Sequence, residues 1–274
     1  MRSRALAGVA VNGALLLLAA FAVLPLAWMF AASFMQTGEA SSFPPPMLPS
    51  SPTLSHYIEL FSQQNMGGYF RNSVCVALAT TLLSLVFNGM AGYAFAKLRF
   101  AGRERLMKLL LAGLLIPGQV TMIPLFGLMK MMGLVNTYAG AVVPGMAGVF
   151  GIFLVRQYAL SIPDELLDAA RIDGATELQI FRRVIVPLLA PILITLGIFT
   201  FLATWNDFMW PLIVLSDRDM QTLPVALAGL SREHVQDSEL MMAGSVVTVL
   251  PVLVLFLFMQ RYYIQGILVG SVKG

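Results

Sequence analysis

Six stretches of this chain run for 21 residues or more without a charged side chain: 5–38, 72–96, 109–129, 131–155, 184–206 and 240–260. In the first of them the apolar part covers 5–34. A helix rises 1.5 Å per residue, so about 20 residues cross a hydrocarbon core of roughly 30 Å. Charged residues make up 11% of the chain and hydrophobic ones 58%, whereas a soluble domain carries about 25% charged residues. A soluble fold of this length would have to leave much of that apolar surface in water, and lipid removes the requirement. The expected fold is all-α: a polytopic membrane protein with six transmembrane helices, its 274 residues forming one transmembrane domain over 1–274.

Only Lys130 separates the third and fourth stretches, but Gly133-Leu134-Val135-Asn136-Thr137 marks a turn between them. The fifth extends past Asp207 towards Leu215. The N-terminal apolar run is longer than the 7–15 residue core of a signal peptide, so it reads as a retained first span. Orientation follows from lysine and arginine, which accumulate on cytoplasmic loops. One set of alternate segments holds 13 of them and the other only Arg71, Lys130, Arg218 and Arg232. That asymmetry places both termini in the cytoplasm, with 35–71 and 216–239 outside.

Several chemistries are excluded. A single cysteine, Cys75, leaves no internal disulfide. The two histidines, His56 and His234, are far apart in sequence, and neither shows a metal-ligand motif, so no metal site is expected. A net charge of +3 is small, scattered and accounted for by topology, which gives no footprint for nucleic acid. The lysines stand at 97, 108, 130 and 273, none in a phosphate-binding Gly-x-x-x-x-Gly-Lys loop. The chain therefore hydrolyses no ATP, holds no cofactor and contains no catalytic residue. An intramembrane enzyme lacks its chemistry here, having no intraspan histidine and no paired acids. An ion-coupled secondary transporter would bind its ions at broken helices, and only Asp207 is a candidate acid for that.

One cytoplasmic segment, 160–187, does not read as a linker. Ser161-Ile162-Pro163-Asp164 fits a capping box, with Glu165 and Asp168 near the positive end of the helix that follows. Asp173-Gly174 signals a reversal, and Thr176-Glu177-Leu178-Gln179 fits a second capping box. Ile180, Phe181, Val184 and Ile185 form an apolar stripe, and Pro187 and Pro191 bracket entry to the fifth span. Two readings stand open on these residues. One is an amphipathic pair lying on lipid headgroups; the other is a ridge docking in a groove on a partner.

Within this segment Asp168-Ala169-Ala170, three residues, Gly174, nine residues and Val184-Ile185-Val186-Pro187 resemble the Glu-Ala-Ala signature of the membrane subunits of bacterial ATP-binding-cassette importers. Asp replaces Glu and Val replaces Ile and Leu, while both alanines, the glycine and the proline match in spacing. Pro163-Asp164-Glu165-Leu166, Ala170 to Ala175, Trp205-Asn206-Asp207 and the final Gly270-Ser271-Val272-Lys273-Gly274 resemble the carbohydrate-importer branch, the maltose and glycerol-phosphate type. The resemblance implies a multi-pass permease of the bacterial cytoplasmic (inner) membrane that imports a di- or oligosaccharide by alternating access, with a glycerol-phosphate solute as the alternative. It implies two ATPase subunits carrying ATP and magnesium, a second homologous permease subunit and an extracytoplasmic solute-binding protein. Glu165, Asp168, Ala169, Ala170, Gly174 and Pro187 are then the ATPase-coupling residues.

Candidates for the substrate path are Asn88, Trp205, Asn206 and Asp207. A charge at depth costs a few kcal/mol, so Asp207 is either functional or near the surface. Asn88 suits helix–helix bonding as well as a path, and Gly89 and Gly92 beside it suit close packing. Gly145, Gly148 and Gly151 read as a packing face, and Trp210 as part of the interfacial aromatic belt.

Overall fold

A computed structural model describes the backbone of residues 2–233 and 237–271 and the side chains of 11–231 and 237–259. His234 lies outside them. The regular secondary structure of the described residues is helical, with α1 (Arg2–Ala32), α2 (Ser55–Ser62), α3 (Met66–Lys97), α4 (Arg103–Gly113), α5 (Gly118–Met131), α6 (Tyr138–Val142) and α7 (Val149–Ala159). Then come α8 (Asp164–Ile172), α9 (Glu177–Ile180), α10 (Val186–Trp205), α11 (Met209–Val214), α12 (Leu223–Glu233) and α13 (Ser238–Ser271). The last helix continues ten residues beyond Arg261.

Four segments are long and apolar enough to cross a membrane unbroken: Val11–Ala32, Met66–Lys97, Glu177–Trp205 and Ser238–Met259. Two further spans are possible only as bent pairs. The third expected span is not one helix, because α4 and α5 meet at 106°. Pro117 stands at the break; it has no N–H to donate, and its ring clashes with the carbonyl four residues back. The fourth expected span bends by 41° between 138–145 and α7, where Pro144 sits in a tight 3-10 turn, Val143–Gly145. The turn between these two spans falls where the sequence marks it, with Gly133 at φ 70° and Asn136 at φ 58°. Asn136 Oδ1 then accepts from the Asp217 amide at 2.8 Å.

The chain divides into two compact units, Met1–Gly67 with Ala226–Pro251, and Gly68–Val225 with Val252–Gly274. In the first, Ala32, Met35 and Ala40 pack with Trp28 and Met242, and buried Glu239 accepts from the Ala40 amide at 2.6 Å. None of the side chains in the apolar window of α1 is buried, as lipid contact demands.

The second unit has two cores. One gathers Tyr93, Val155, Leu167, Ile180, Ile185 and Leu189; the other gathers Val76, Met129, Val142, Trp210 and Val214. α3 and α7 approach closely because glycine leaves room. A Cβ on Gly92 would stand 2.6 Å from the Val155 side chain, and one on Gly151 2.7 Å from Asn88 Nδ2. Gly145 likewise meets Thr80, whereas Gly89 makes ordinary contact and Gly148 faces open space. The expected glycine packing face is therefore real at Gly92, Gly145 and Gly151.

Candidate functional site

Two features of the second unit bear on function, and α3 runs through both. The first is the helical hairpin α8–α9. Its N-terminus differs from expectation: the residue before α8 is Pro163, which has no side-chain donor or acceptor, and Ser161 Oγ donates back to the Tyr158 carbonyl at 2.7 Å. Proline's fixed φ already suits a helix start, so the serine is not needed there. The reversal comes at Gly174, φ +80°, a conformation open to glycine but costly for side chains with a Cβ. Thr176 and Gln179 form the expected reciprocal cap, Thr176 N donating to Gln179 Oε1 at 2.8 Å.

The hairpin is held from inside by Leu167, Ile180 and Ile185, all in one buried core with Tyr93 and Leu189. It is held at its edges by charge. Arg171 donates to Asp168 at 2.8 Å and to Glu177 at 2.9 Å, tying α8 to α9. These two carboxylates hold the Arg171 guanidinium above its ordinary range. Tyr93 OH donates to the other Glu177 oxygen at 3.1 Å, and Lys97 pairs with Asp164 at 2.6 Å and donates to the Ile162 carbonyl. Hydrogen bonding to Lys97 lowers the Asp164 carboxyl below its usual value. The end of α3 thus grips the start of α8 and the start of α9.

The outer side of the hairpin is open. Glu165, Asp168, Ala169, Gly174 and Pro187 are exposed and Ala170 is half-buried. Ile172 is 86% and Leu178 60% exposed, with Leu166 beside them at 45%. The hairpin passes into α10 through a π-helical turn, Phe181–Ile185, a form often found at functional sites.

The second feature is a cleft of about 270 Å³ between α3, the bent 138–159 segment and α10. Thr80, Ser84 and Asn88 line it from successive turns of α3, facing Gly151, Phe199 and Thr200. Asn88 Nδ2 donates to Ser84 Oγ at 2.7 Å, and Ser84 and Thr200 hydroxyls lie 3.3 Å apart. Two buried atoms, Asn88 Oδ1 and Thr80 Oγ1, have no protein partner. Buried polar atoms are almost always hydrogen-bonded, so these two stand out as groups whose hydrogen-bonding capacity the protein leaves unused. The lining carries no charged side chain, and Phe150 and Phe199 stand as a tilted pair 6.4 Å apart.

Asn88 is therefore in the cleft, but the other three path candidates are not among its lining residues. Trp205 is 1% exposed, packed between Phe70 and Phe201 at 5.8 Å from each, which leaves no free face for a sugar ring. Asn206 Nδ2 donates to the Leu202 carbonyl at 2.8 Å. Asp207 is partly buried and accepts from the Trp210 amide at the start of α11. Trp210 is buried rather than interfacial, its Nε1 donating to the Gly140 carbonyl at 3.1 Å. Arg171 on the hairpin, Tyr93 and Lys97 that hold it from α3, and Thr80 and Ser84 in the cleft do not stand out in the sequence. The spacing on α3 at 80, 84, 88 and then 93 and 97 is the one signal that could have found the residues of that helix.

Residues 88–269 match the family described as "Binding-protein-dependent transport system inner membrane component". The chain is 42% identical over 260 residues to the arabinooligosaccharides transport system permease protein AraQ of Halalkalibacterium halodurans, covering 94% of this chain and 93% of that protein. It is 38% identical over 213 residues to the lactose transport system permease protein LacG of Rhizobium radiobacter, covering 78% of each. In fold it resembles a crystal structure of a bacterial ABC transporter involved in the import of the acidic polysaccharide alginate, with a TM-score of 0.85, 24% identity and coverage of 96% of this chain and 98% of that one.

Proposed function

The chain belongs to the inner membrane components of binding-protein-dependent transport systems, and we propose that it passes an uncharged oligosaccharide through the cleft on α3 under the control of partner ATPases docked on the α8–α9 hairpin. It is a multi-pass permease and not an ATPase, and its family requires no cofactor of its own. In the proposed assembly two ATPase subunits supply ATP hydrolysis with magnesium, a second homologous permease subunit completes the path, and an extracytoplasmic binding protein delivers the solute. Both termini and the hairpin face the cytoplasm, following the excess of lysine and arginine there.

The observation that carries this reading is the continuity of α3. Tyr93 and Lys97 hold the hairpin, while Thr80, Ser84 and Asn88 on the same helix line the cleft. Residues 80 and 97 are about 25 Å apart at 1.5 Å per residue. Movement of the hairpin is thus passed through a stiff rod to the cleft. The exposed Leu166, Ile172 and Leu178 with the small Ala169 suit a partner's groove, since apolar surface beside a rim of paired charge is what docking buries.

Sugar hydroxyls match the unpartnered Asn88 Oδ1 and Thr80 Oγ1, and the Phe150–Phe199 pair offers an apolar face to a ring. The named transport of arabinooligosaccharides and lactose by relatives supports the same class. A glycerol phosphate fits less well, because a phosphate calls for Arg or Lys and the cleft offers neither. The test is reconstitution in vesicles with the cognate ATPase and binding protein. ATP-dependent uptake of a neutral oligosaccharide that fails when Ile172 is changed to Glu supports the reading. Uptake that proceeds without ATP overturns it.

A further inference from the structure

The first compact unit brings together three side chains of metal-ligand type. His56 and Glu59 stand one turn apart on α2 and so share a face; Asp237 immediately precedes α13. Their ligand atoms all lie within 4.8 Å of one another, with His56 Nδ1 3.9 Å from Asp237 Oδ1. The sequence gives His56 no ligand set, because one partner lies at the far end of the chain and the other is visible only as a helical neighbour.

The hydrogen bonding of His56 makes the grouping more than a cluster of acids. The ring is 2% exposed, and its Nε2 lies 3.0 Å from the Met35 carbonyl oxygen. A carbonyl only accepts, so Nε2 carries the hydrogen. In the neutral ring Nδ1 is then a lone pair, and it is buried without a hydrogen-bond partner, turned towards carboxylates that also offer only lone pairs. Acceptors that converge with two negative charges repel one another unless a cation lies among them. Among the described residues, no lysine or arginine pairs with any of the three.

We infer that His56, Glu59 and Asp237 form a binding site for a divalent cation of the zinc class. One imidazole nitrogen and two carboxylates without a thiolate are a zinc-type donor set, and they leave a fourth position for water. Three atoms mutually within 4.8 Å share a centre no farther than about 2.8 Å from each, so side-chain shifts of roughly 1 Å or less reach zinc's bond lengths of ~2.0–2.2 Å. The Nε2–H bond to a backbone carbonyl is the arrangement that orients metal-bound histidines. Two carboxylates also match the charge of a divalent ion.

The ion is structural: it clasps α2 to the start of α13, where Asp237 Oδ1 also accepts from the Leu240 amide at 2.8 Å. The site does not depend on which solute the permease carries. It is tested on the full-length chain in detergent, purified with a tag free of histidine, stripped with a chelator and equilibrated with Zn²⁺. Wild type is expected to bind one Zn²⁺ per chain by elemental analysis and to unfold at a higher temperature when it does. Glu59→Gln and Asp237→Asn are expected to weaken zinc binding at least about tenfold and to abolish the thermal shift. Asparagine still caps a helix, so the metal-free Asp237→Asn chain should unfold where the stripped wild type does. Absence of zinc from wild type overturns the inference. So does zinc binding that survives both substitutions.

Discussion

The hairpin is held by the C-terminal end of α3 and the cleft is lined by its middle turns, and the two satisfy their polar groups in opposite ways. At the hairpin, Lys97, Asp164, Asp168, Arg171 and Glu177 are all paired; water screens the four hairpin charges, and the Lys97 side chain alone is buried. In the cleft there is no charge at all, yet Asn88 Oδ1 and Thr80 Oγ1 are buried without a partner in the protein. Exposed ion pairs contribute about 0–1 kcal/mol each, so the charges at the hairpin fix its geometry more than its stability. A buried unsatisfied group costs about 1–3 kcal/mol, a penalty that a passing ligand's hydroxyl can relieve. On the proposed reading the hairpin keeps a shape and the cleft accepts a solute.

That contrast can be broken from the hairpin side with the largest effect. Gly174→Asp forces a side chain into φ +80°, at a cost of about 1–2 kcal/mol, with open space around it. The expected result in the reconstituted transporter is loss of sugar uptake while ATP hydrolysis persists, with the protein still inserted and folded. Normal uptake in this variant would remove the hairpin from the coupling route.

The connecting rod is the next place to press. Gly92→Leu drives a side chain into Val155, where even a Cβ stands 2.6 Å away, and overpacking of this kind costs about 1–3 kcal/mol. A lower unfolding temperature and weakened coupling should appear together. A variant as stable as wild type would mean that α3 and α7 separate freely.

On the cleft side the expected effect is selective. Asn88→Leu removes the free acceptor and the bond to Ser84, and the loss of a hydrogen bond amounts to about 0.5–1.5 kcal/mol. Uptake should show a several-fold higher KM for the sugar with basal ATP hydrolysis unaltered. An unchanged KM would assign Asn88 to helix packing alone.

The smallest effect concerns pH. Lys97 depresses the folded-state pKa of Asp164 below the unfolded value of about 3.9. The stability from this pair is therefore present above that value and lost as pH falls through the lower folded pKa. A melting series in acid should show Asp164→Asn losing less stability than wild type below about pH 4. Identical acid profiles would leave the pair without a measurable role.

Much of this was legible in the sequence because it depends on short-range patterns. Charge-free runs follow from the thickness of a bilayer, the Thr176 cap from the residue three positions on, and the reversal at Gly174 from what glycine alone tolerates. Glu165, Asp168, Ala169 and Ala170 were singled out through the resemblance to the importer signature, and the structure places them on the hairpin. Trp205 and Trp210 misled, since an aromatic ring near a span end reads the same whether it meets headgroups, a sugar or a core. The Ser161 cap misled because Pro163 starts the helix without it.

By itself, then, the sequence determined that the chain is helical, that it belongs in lipid and where the hairpin turns, because each rests on local spacing and on the cost of charge in hydrocarbon. Only the tertiary structure decided that Tyr93 and Lys97 grip the hairpin, that Asn88 faces a cleft while Trp205 does not, that the third span is broken at Pro117, and that His56 and Glu59 meet Asp237. Those depend on which faces of distant helices pack together, and no periodicity within a single helix records its neighbour's face.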